Sequence, residues 1–389
     1  MRRLLLAVGL FIALACVAAG QDPRAGSATV SLPDSTKQSF APDSIASDKN
    51  AGRARDELAK GNQFFRQADY AHAIESYRRV INLDPSFFQA HYNLGIAFVD
   101  ARQYRDALQA FEAALTLKPE SPAVLKYLGT INLKLENFES AAAYFSRWSQ
   151  LDPNSPEALS GLGSVRSRTG HYAEAEVSFR KALSLDPNFA EAAAGLCLTL
   201  TASQQDEQAL AVCEKATKLS PKAVLVHYLL GKSYLNQRRY EDALPPLNKA
   251  AELSPQDGII QNNLGLAYFG LERYEKAIEH FQAAVHLEPN LGEAHTGLGS
   301  VYLKLRKFRE AKAAFHKALA VEPKFTVAHM NLALTCLELN QRDCALEQYG
   351  ILQGLDPVLA SSLFERIYRN QILRIPPKLR ANRGDELKL

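Results

Sequence analysis

Along most of the chain, apolar residues recur at helical spacing, and the pattern itself recurs. Leu264 and Tyr268 share one helix face, and Ala277, Phe281 and Ala284 share another. Gly270-Leu271-Glu272-Arg273 separates the two stretches. Proline stands at 85, 119, 153, 187, 221, 255, 289, 323 and 357, always 34 residues apart. An alanine precedes each proline by 12 residues, from Ala73 to Ala345. A small residue recurs at Gly61, Gly95, Gly129, Gly163, Cys197, Gly231, Gly265, Gly299 and Ala333, following Leu in all units but the first. The small residue and the alanine let two antiparallel helices approach closely, and proline cannot continue the second helix. A single pair cannot bury its apolar faces, whereas stacked pairs can. The pattern predicts nine helix-turn-helix units: 54-87, 88-121, 122-155, 156-189, 190-223, 224-257, 258-291, 292-325 and 326-359.

Departures from the pattern carry their own expectations. Lys60 replaces the usual Leu in the first unit, which has no predecessor to cover it. Asp206 and Arg342 replace the aromatic that opens the second helix elsewhere. Pro245-Pro246 predicts a kink or a late start in the second helix of the sixth unit. Leu363, Phe364, Ile367, Tyr368 and Ile372 form one stripe, predicting a capping helix over 360-373 that shields the end of the stack and keeps the protein monomeric. Residues 374-389 read as a basic tail, and residues 21-53, rich in Ser, Ala, Asp and Pro, as a flexible linker.

The motif Leu264-Gly265-x-x-Tyr268, Tyr274, Ala277, Phe281, Ala284 and Pro289, repeated in register over 306 of 389 residues, resembles the tetratricopeptide repeat (TPR) family. The resemblance implies an all-α fold, a right-handed superhelical solenoid of nine 34-residue repeats, and a protein or peptide partner held in a concave groove. It also implies which positions of the first helix meet that partner. In units three and four these include Lys126, Thr130, Lys134, Ser160, Ser164, Ser167 and Arg168, a polar and mildly basic zone. In units six to nine they include Leu225, Tyr228, Leu235, Ile259, Leu266, Phe269, Leu303, Leu334 and Leu337, an apolar zone with Asn263 and Asn331 offering amides. The family's set for gripping a chain-terminal carboxylate is missing. Lys126 is present, but Thr130, Gly161, Glu191 and Gly195 occupy the other matching positions.

Charge and chemistry alter this picture only at its edges. The formal net charge of +3 is too small to argue for nucleic acid. Met1-Arg2-Arg3 followed by the small and apolar run from Leu4 to Gly20 reads as a signal sequence over 1-20. Three fates stand open: cleavage, retention as an anchor, or lipidation at Cys16, which follows Ala13-Leu14-Ala15. Membrane contact is expected through the N-terminus alone, and the location periplasmic or secreted, or anchored as a lipoprotein. Cys197 and Cys213 stand where small or apolar residues stand elsewhere and read as buried hydrophobes, with a Cys197–Cys213 disulfide as the alternative. Cys344 stands among variable polar equivalents, eight residues after Cys336, and predicts a Cys336–Cys344 disulfide. His91, His227, His295 and His329 share one repeat position and read as packing residues, since no carboxylate or Cys recurs beside them at ligand spacing. No catalytic residue, metal or cofactor is expected. The function expected is that of an exported scaffold or adaptor in cell-envelope assembly. The alternative is a non-catalytic accessory subunit that stimulates an envelope enzyme.

Overall fold

The computed structural model describes residues 49–372, all of whose regular elements are helices. The expected signal sequence, Cys16, residues 21-48 of the expected linker and the basic tail lie outside these residues. The described chain divides at Gln204–Gln205 into two compact units.

The N-terminal unit comprises α1 (Lys49–Arg66), α2 (Tyr70–Leu83), α3 (Phe88–Asp100), α4 (Tyr104–Leu117), α5 (Pro122–Lys134), α6 (Phe138–Leu151), α7 (Pro156–Arg168), α8 (Tyr172–Leu185) and α9 (Ala190–Ala202). Each repeat pairs its two helices, and the second packs on the first helix of the next repeat. The linker expected to end at residue 53 gives way to helix at Lys49, because Ala51 and Ala54 join Leu58 in a buried stripe. The core is built around the aromatic of each second helix. Phe145 lies between Gly129 of its own repeat and Gly161 of the next, where added Cβ atoms would stand 2.9 Å and 2.4 Å from the ring. Glycine at both positions is therefore a packing requirement, which explains Gly161-x-Gly163 without a phosphate loop.

The C-terminal unit comprises α10 (Asp206–Leu219), α11 (Val224–Asn236), α12 (Tyr240–Leu253), α13 (Gly258–Gly270), α14 (Tyr274–Leu287), α15 (Gly292–Lys304), α16 (Phe308–Val321), α17 (Thr326–Glu338), α18 (Arg342–Leu355) and α19 (Pro357–Ile372). The same pairing runs through it. The late start expected at Pro245-Pro246 does not occur. α12 begins at Tyr240 and contains both prolines. Their missing N–H groups would have bonded to the carbonyls of Glu241 and Asp242, both exposed residues of the helix's first turn. The last helix starts at Pro357, ahead of the expected Ala360, because Asp356 accepts from the amides of Val358 and Leu359 at 3.0 Å and proline suits a first helical position. Ala360 and Leu363 are buried against α18 and α17, while Ser361 and Glu365 face solvent.

One turn recurs in both units. In the turn after α3, the Gln103 amide bonds back to the Phe98 carbonyl at 2.8 Å and the Arg102 amide to the Val99 carbonyl at 2.9 Å, a Schellman closure. Its left-handed residue is Ala68, Arg102, Glu136, Gln204, Arg238, Glu272, Arg306 or Asn340, and glycine only at Gly170. The described chain is thus an all-α solenoid of helix-turn-helix repeats.

Candidate partner-binding surfaces

The shared histidine position proves to be architectural. Nε2–H of His91, His227, His295 and His329 donates to the carbonyl of the proline six residues earlier, at 2.9–3.0 Å. The carbonyl can only accept, so the contact assigns the proton to Nε2. These rings pin the loop between repeats. In the seventh repeat Gln261 takes the position and pairs with His280 on the second helix at 2.8 Å. In the ninth the same two positions carry the pair in reverse, His329 with Gln348 at 2.7 Å. Burial lowers the His280 pKa, and Tyr268 stacks on its ring at 5.1 Å.

In the N-terminal unit, the cations expected to meet a partner make contacts within the protein. Lys134 Nζ lies 4.8 Å over the Tyr104 ring, and Lys126 Nζ lies 5.9 Å over Trp148. Arg168 lies over Phe138 at 5.2 Å, donates to the Leu133 carbonyl at 3.0 Å and pairs with Glu136 at 2.8 Å, leaving its side chain 11% exposed. Its guanidinium closes the end of α5 in the preceding repeat and is not presented to a partner. Ser167 accepts from Thr199 at 3.0 Å. Thr130 Oγ1 and Ser160 Oγ are buried without a hydrogen-bond partner.

In the C-terminal unit the apolar zone separates into two groups. Tyr228 and Leu235, at 2% and 5% exposure, belong to the core of α11 and offer little surface. Leu266 and Phe269 on α13, Leu303 on α15 and Leu334 on α17 are half-buried, as are Leu225, Ile259 and Leu337. Leu266 and Phe269 rest on a cluster around Phe281, and Leu303 and Leu334 on one around Phe315. These residues form a supported strip, part of whose area faces outward.

The amides on this strip differ from one another. Asn263 turns inward and donates to its own helix at the Ile259 carbonyl, 2.8 Å away. The adjacent Asn262, in register with Lys126, Ser160 and Tyr228 though not named among the expected contacts, keeps Oδ1 buried and unpartnered, while its Nδ2 makes a long 3.4 Å contact to Glu293. Asn331 keeps Nδ2 buried and unpartnered. Among the described residues, four of the five buried side-chain atoms lacking a partner fall on first helices at or beside the expected contact positions: Thr130, Ser160, Asn262 and Asn331. The fifth, Gln237, sits in a turn. Buried polar atoms are normally satisfied, so unsatisfied ones concentrated on one helix row call for a partner.

The strip also contains a disulfide. Cys336 on α17 and Cys344 on α18 are bonded, with Cα atoms 5.9 Å apart. Cys336 is fully buried and Cys344 is half-buried. Cys197 and Cys213 are both fully buried, and each is disulfide-bonded, so they are not the simple buried hydrophobes that their apolar equivalents suggest.

The sequence pattern of the cilia and flagella-associated protein 70 C-terminal domain family matches residues 24–262, more than half of the chain, and the tetratricopeptide repeat pattern matches 259–291 and 292–325. The chain belongs to this tetratricopeptide-repeat family. No curated protein sequence matches it. Among solved structures, the Cut9–Hcn1 hetero-tetramer of the APC/C is similar over 84% of this chain and 78% of that one, at 16% identity and TM-score 0.54, which agrees with the fold. YrrB, described as a TPR protein with an unusual peptide-binding site, covers 46% of this chain and 97% of its own at 26% identity and TM-score 0.40. Pseudomonas aeruginosa pilF covers 54% and 97% at 22% identity and TM-score 0.47. As a TPR protein the chain falls in a class of protein-interaction scaffolds.

Proposed function

We propose that the C-terminal unit holds an extended segment of a protein partner along the strip formed by Leu266, Phe269, Leu303 and Leu334. The observation that carries this is the row of half-buried Leu266, Phe269, Leu303 and Leu334, each resting on a packed cluster with part of its area outward, beside the buried, unpaired amide atoms of Asn262 and Asn331. A helix satisfies its own backbone groups and has little to offer such atoms. An extended segment brings free N–H and C=O groups together with apolar side chains. Burial of those side chains on the half-exposed leucines supplies affinity, and the amides fix register. The role is that of a non-catalytic scaffold or adaptor, acting outside the cytoplasm in cell-envelope assembly. The basic start and apolar run at Met1–Gly20 support the location.

The test is selection of a displayed random peptide library on immobilised full-length protein, repeated on a Leu266→Ser/Phe269→Ser variant. Enrichment of sequences with spaced apolar residues that the variant no longer retains supports the reading. Enrichment of the same sequences on both proteins places binding elsewhere and overturns it.

A further inference from the structure

The disulfide, the partner-binding strip and the last helix share one packed cluster. Cys336 is enclosed with Met330, Leu332 and Ala333 of α17, Leu352 of α18, and Ala360 and Leu363 of α19. Leu303, Leu334 and Leu337 of the strip pack against the same cluster, as do Cys344 and Ile367. Among the described residues, α19 is the element that follows α17 and α18. Terminal repeats of a stacked array are its least supported part, and local opening begins where neighbours are fewest.

We infer that the Cys336–Cys344 disulfide is a redox latch on the partner-binding strip, closed when oxidised and open when reduced. This rests on the strip being the binding surface. The two sulfurs differ in access: Cys336 is wholly enclosed, whereas Cys344 is half-exposed and begins α18 beside the turn. A dithiol reductant, small molecule or protein, attacks as its thiolate at Cys344 Sγ. The S–S bond breaks, and Cys336 departs as a thiolate and takes up a proton. The reductant's second thiol then attacks the mixed disulfide, frees Cys344 as a thiolate that also takes up a proton, and closes its own disulfide. Two electrons thereby pass from the dithiol to the protein.

With the crosslink gone, only the backbone of the turn joins the start of α18 covalently to the end of α17. The turn between them keeps its backbone closure and the contact of Gln341 with Lys312 at 2.6 Å, and Arg342 at the start of α18 lies 4.9 Å over the Tyr368 ring of α19. Opening of α18 and α19 removes the support beneath Leu334 and Leu337, and the strip loses its far end. The coupling runs through side chains already in contact, and the docked or open terminal pair is the two-state element that both redox state and partner bias.

Hydrogen exchange by mass spectrometry and retention of the displayed peptide library are to be measured on full-length protein in three forms. These are the oxidised wild type, Cys344→Ser, and Cys336→Ala/Cys344→Ser, which guards against a stray buried thiol. Both variants leave the other cysteines untouched. The latch predicts that exchange within 326–372 accelerates about tenfold or more in both variants while 258–304 is unchanged. It also predicts that library retention falls about fivefold or more. Unchanged exchange in 326–372 overturns the latch. Faster exchange with retention equal in all three forms overturns its control of binding. Failure of the oxidised protein to retain any peptide refutes the strip itself and the regulation with it, and is distinguishable because the exchange result stands separately.

Discussion

Replacing Gly161 with Ala tests the clamp on which repeat stacking depends. In an unclamped helix the change stabilises, because alanine is favoured over glycine by about 1 kcal/mol. At Gly161 the new Cβ would stand 2.4 Å from Cδ1 and Cε1 of Phe145, where ordinary contact begins near 3.4 Å, so the ring must withdraw by about an ångström. It cannot do so freely, because its other side lies against Gly129, where a Cβ would already be within 2.9 Å. Overpacking of this kind costs about 1–3 kcal/mol, with the upper part of that range expected between two helices. After the gain in helix propensity is subtracted, Gly161→Ala is expected to destabilise this region by about 1–2 kcal/mol. The control is Gly350→Ala on α18, where the added Cβ meets nothing within 4 Å. It should stabilise its helix by about 1 kcal/mol. The chain's single tryptophan, Trp148, is buried and stacks on Phe145 at 6.5 Å, so its emission reports this repeat. Urea titration followed at Trp148 should show an earlier midpoint for Gly161→Ala and no shift for Gly350→Ala. A repeat array can unfold in parts, so a probe inside the affected repeat is preferable to a global signal. An unshifted or later midpoint for Gly161→Ala would refute the clamp.

Further outcomes follow from the same contacts. Asn262→Ala and Asn331→Leu should leave the unbound protein as stable or up to about 1 kcal/mol more stable, since each removes an unpaired buried polar atom, yet weaken retention of selected peptides about tenfold; thermal unfolding beside peptide titration separates the two signs. Gly170→Ala should cost about 1 kcal/mol by thermal unfolding, from its positive φ of 81° alone, because no atom lies within 4 Å of the added Cβ. Burial raises the Asp206 pKa above its usual value although Asn236 donates to it at 2.9 Å, so folding disfavours the charged form. The sign is then that stability falls as pH rises through the folded pKa, and Asp206→Asn should unfold later than wild type at pH 7, with the advantage vanishing below about pH 3.8.

The repeat was legible because its signal is redundant: prolines, alanines and small residues recur at one spacing, and each reports the same contact between helices. What sequence could not convey is which side of each contact a residue serves. Lys134 and Arg168 occupy positions open to a partner, yet both cations lie over aromatic rings of the preceding repeat. Register says where a Cα lies, whereas a long side chain chooses among neighbours supplied by the adjacent repeat. Leu235 stands in register with Phe269 and Leu303 but is buried where they are half-buried, because the adjacent helices close over it. The recurring histidines carried a readable signal, a proline six residues upstream in every case, but its meaning depends on the loop bringing that carbonyl back over the helix. Cys336 and Cys344 were readable because Cys344 alone broke the polar pattern of its position.

One position on the first helix shows why binding chemistry is distributed unevenly along the array. It is glycine at Gly161, Gly195 and Gly297, and at each the aromatic ring of the preceding repeat fills the space a Cβ would need. It is asparagine at Asn93, Asn263 and Asn331. A repeat with glycine there gives up a polar group to let the ring through. A repeat with asparagine keeps one, and the amide's fate then depends on neighbours. Asn93 donates to Asn62 at 3.0 Å and accepts from Gln89 at 2.9 Å, so it is already engaged. Asn263 spends its donor on its own helix. Asn331 keeps an open donor, and Asn262, one residue before Asn263, supplies the open acceptor. The repeat between them cannot contribute an amide, because a Cβ at Gly297 would stand 2.4 Å from the Phe281 ring. A segment lying along the C-terminal unit therefore finds asparagines on α13 and α17 and, at the equivalent point of α15, a glycine backed by the Phe281 ring. That spacing favours a partner whose polar backbone groups are read at two points separated by one repeat, with the leucine contacts between them left to shape and burial.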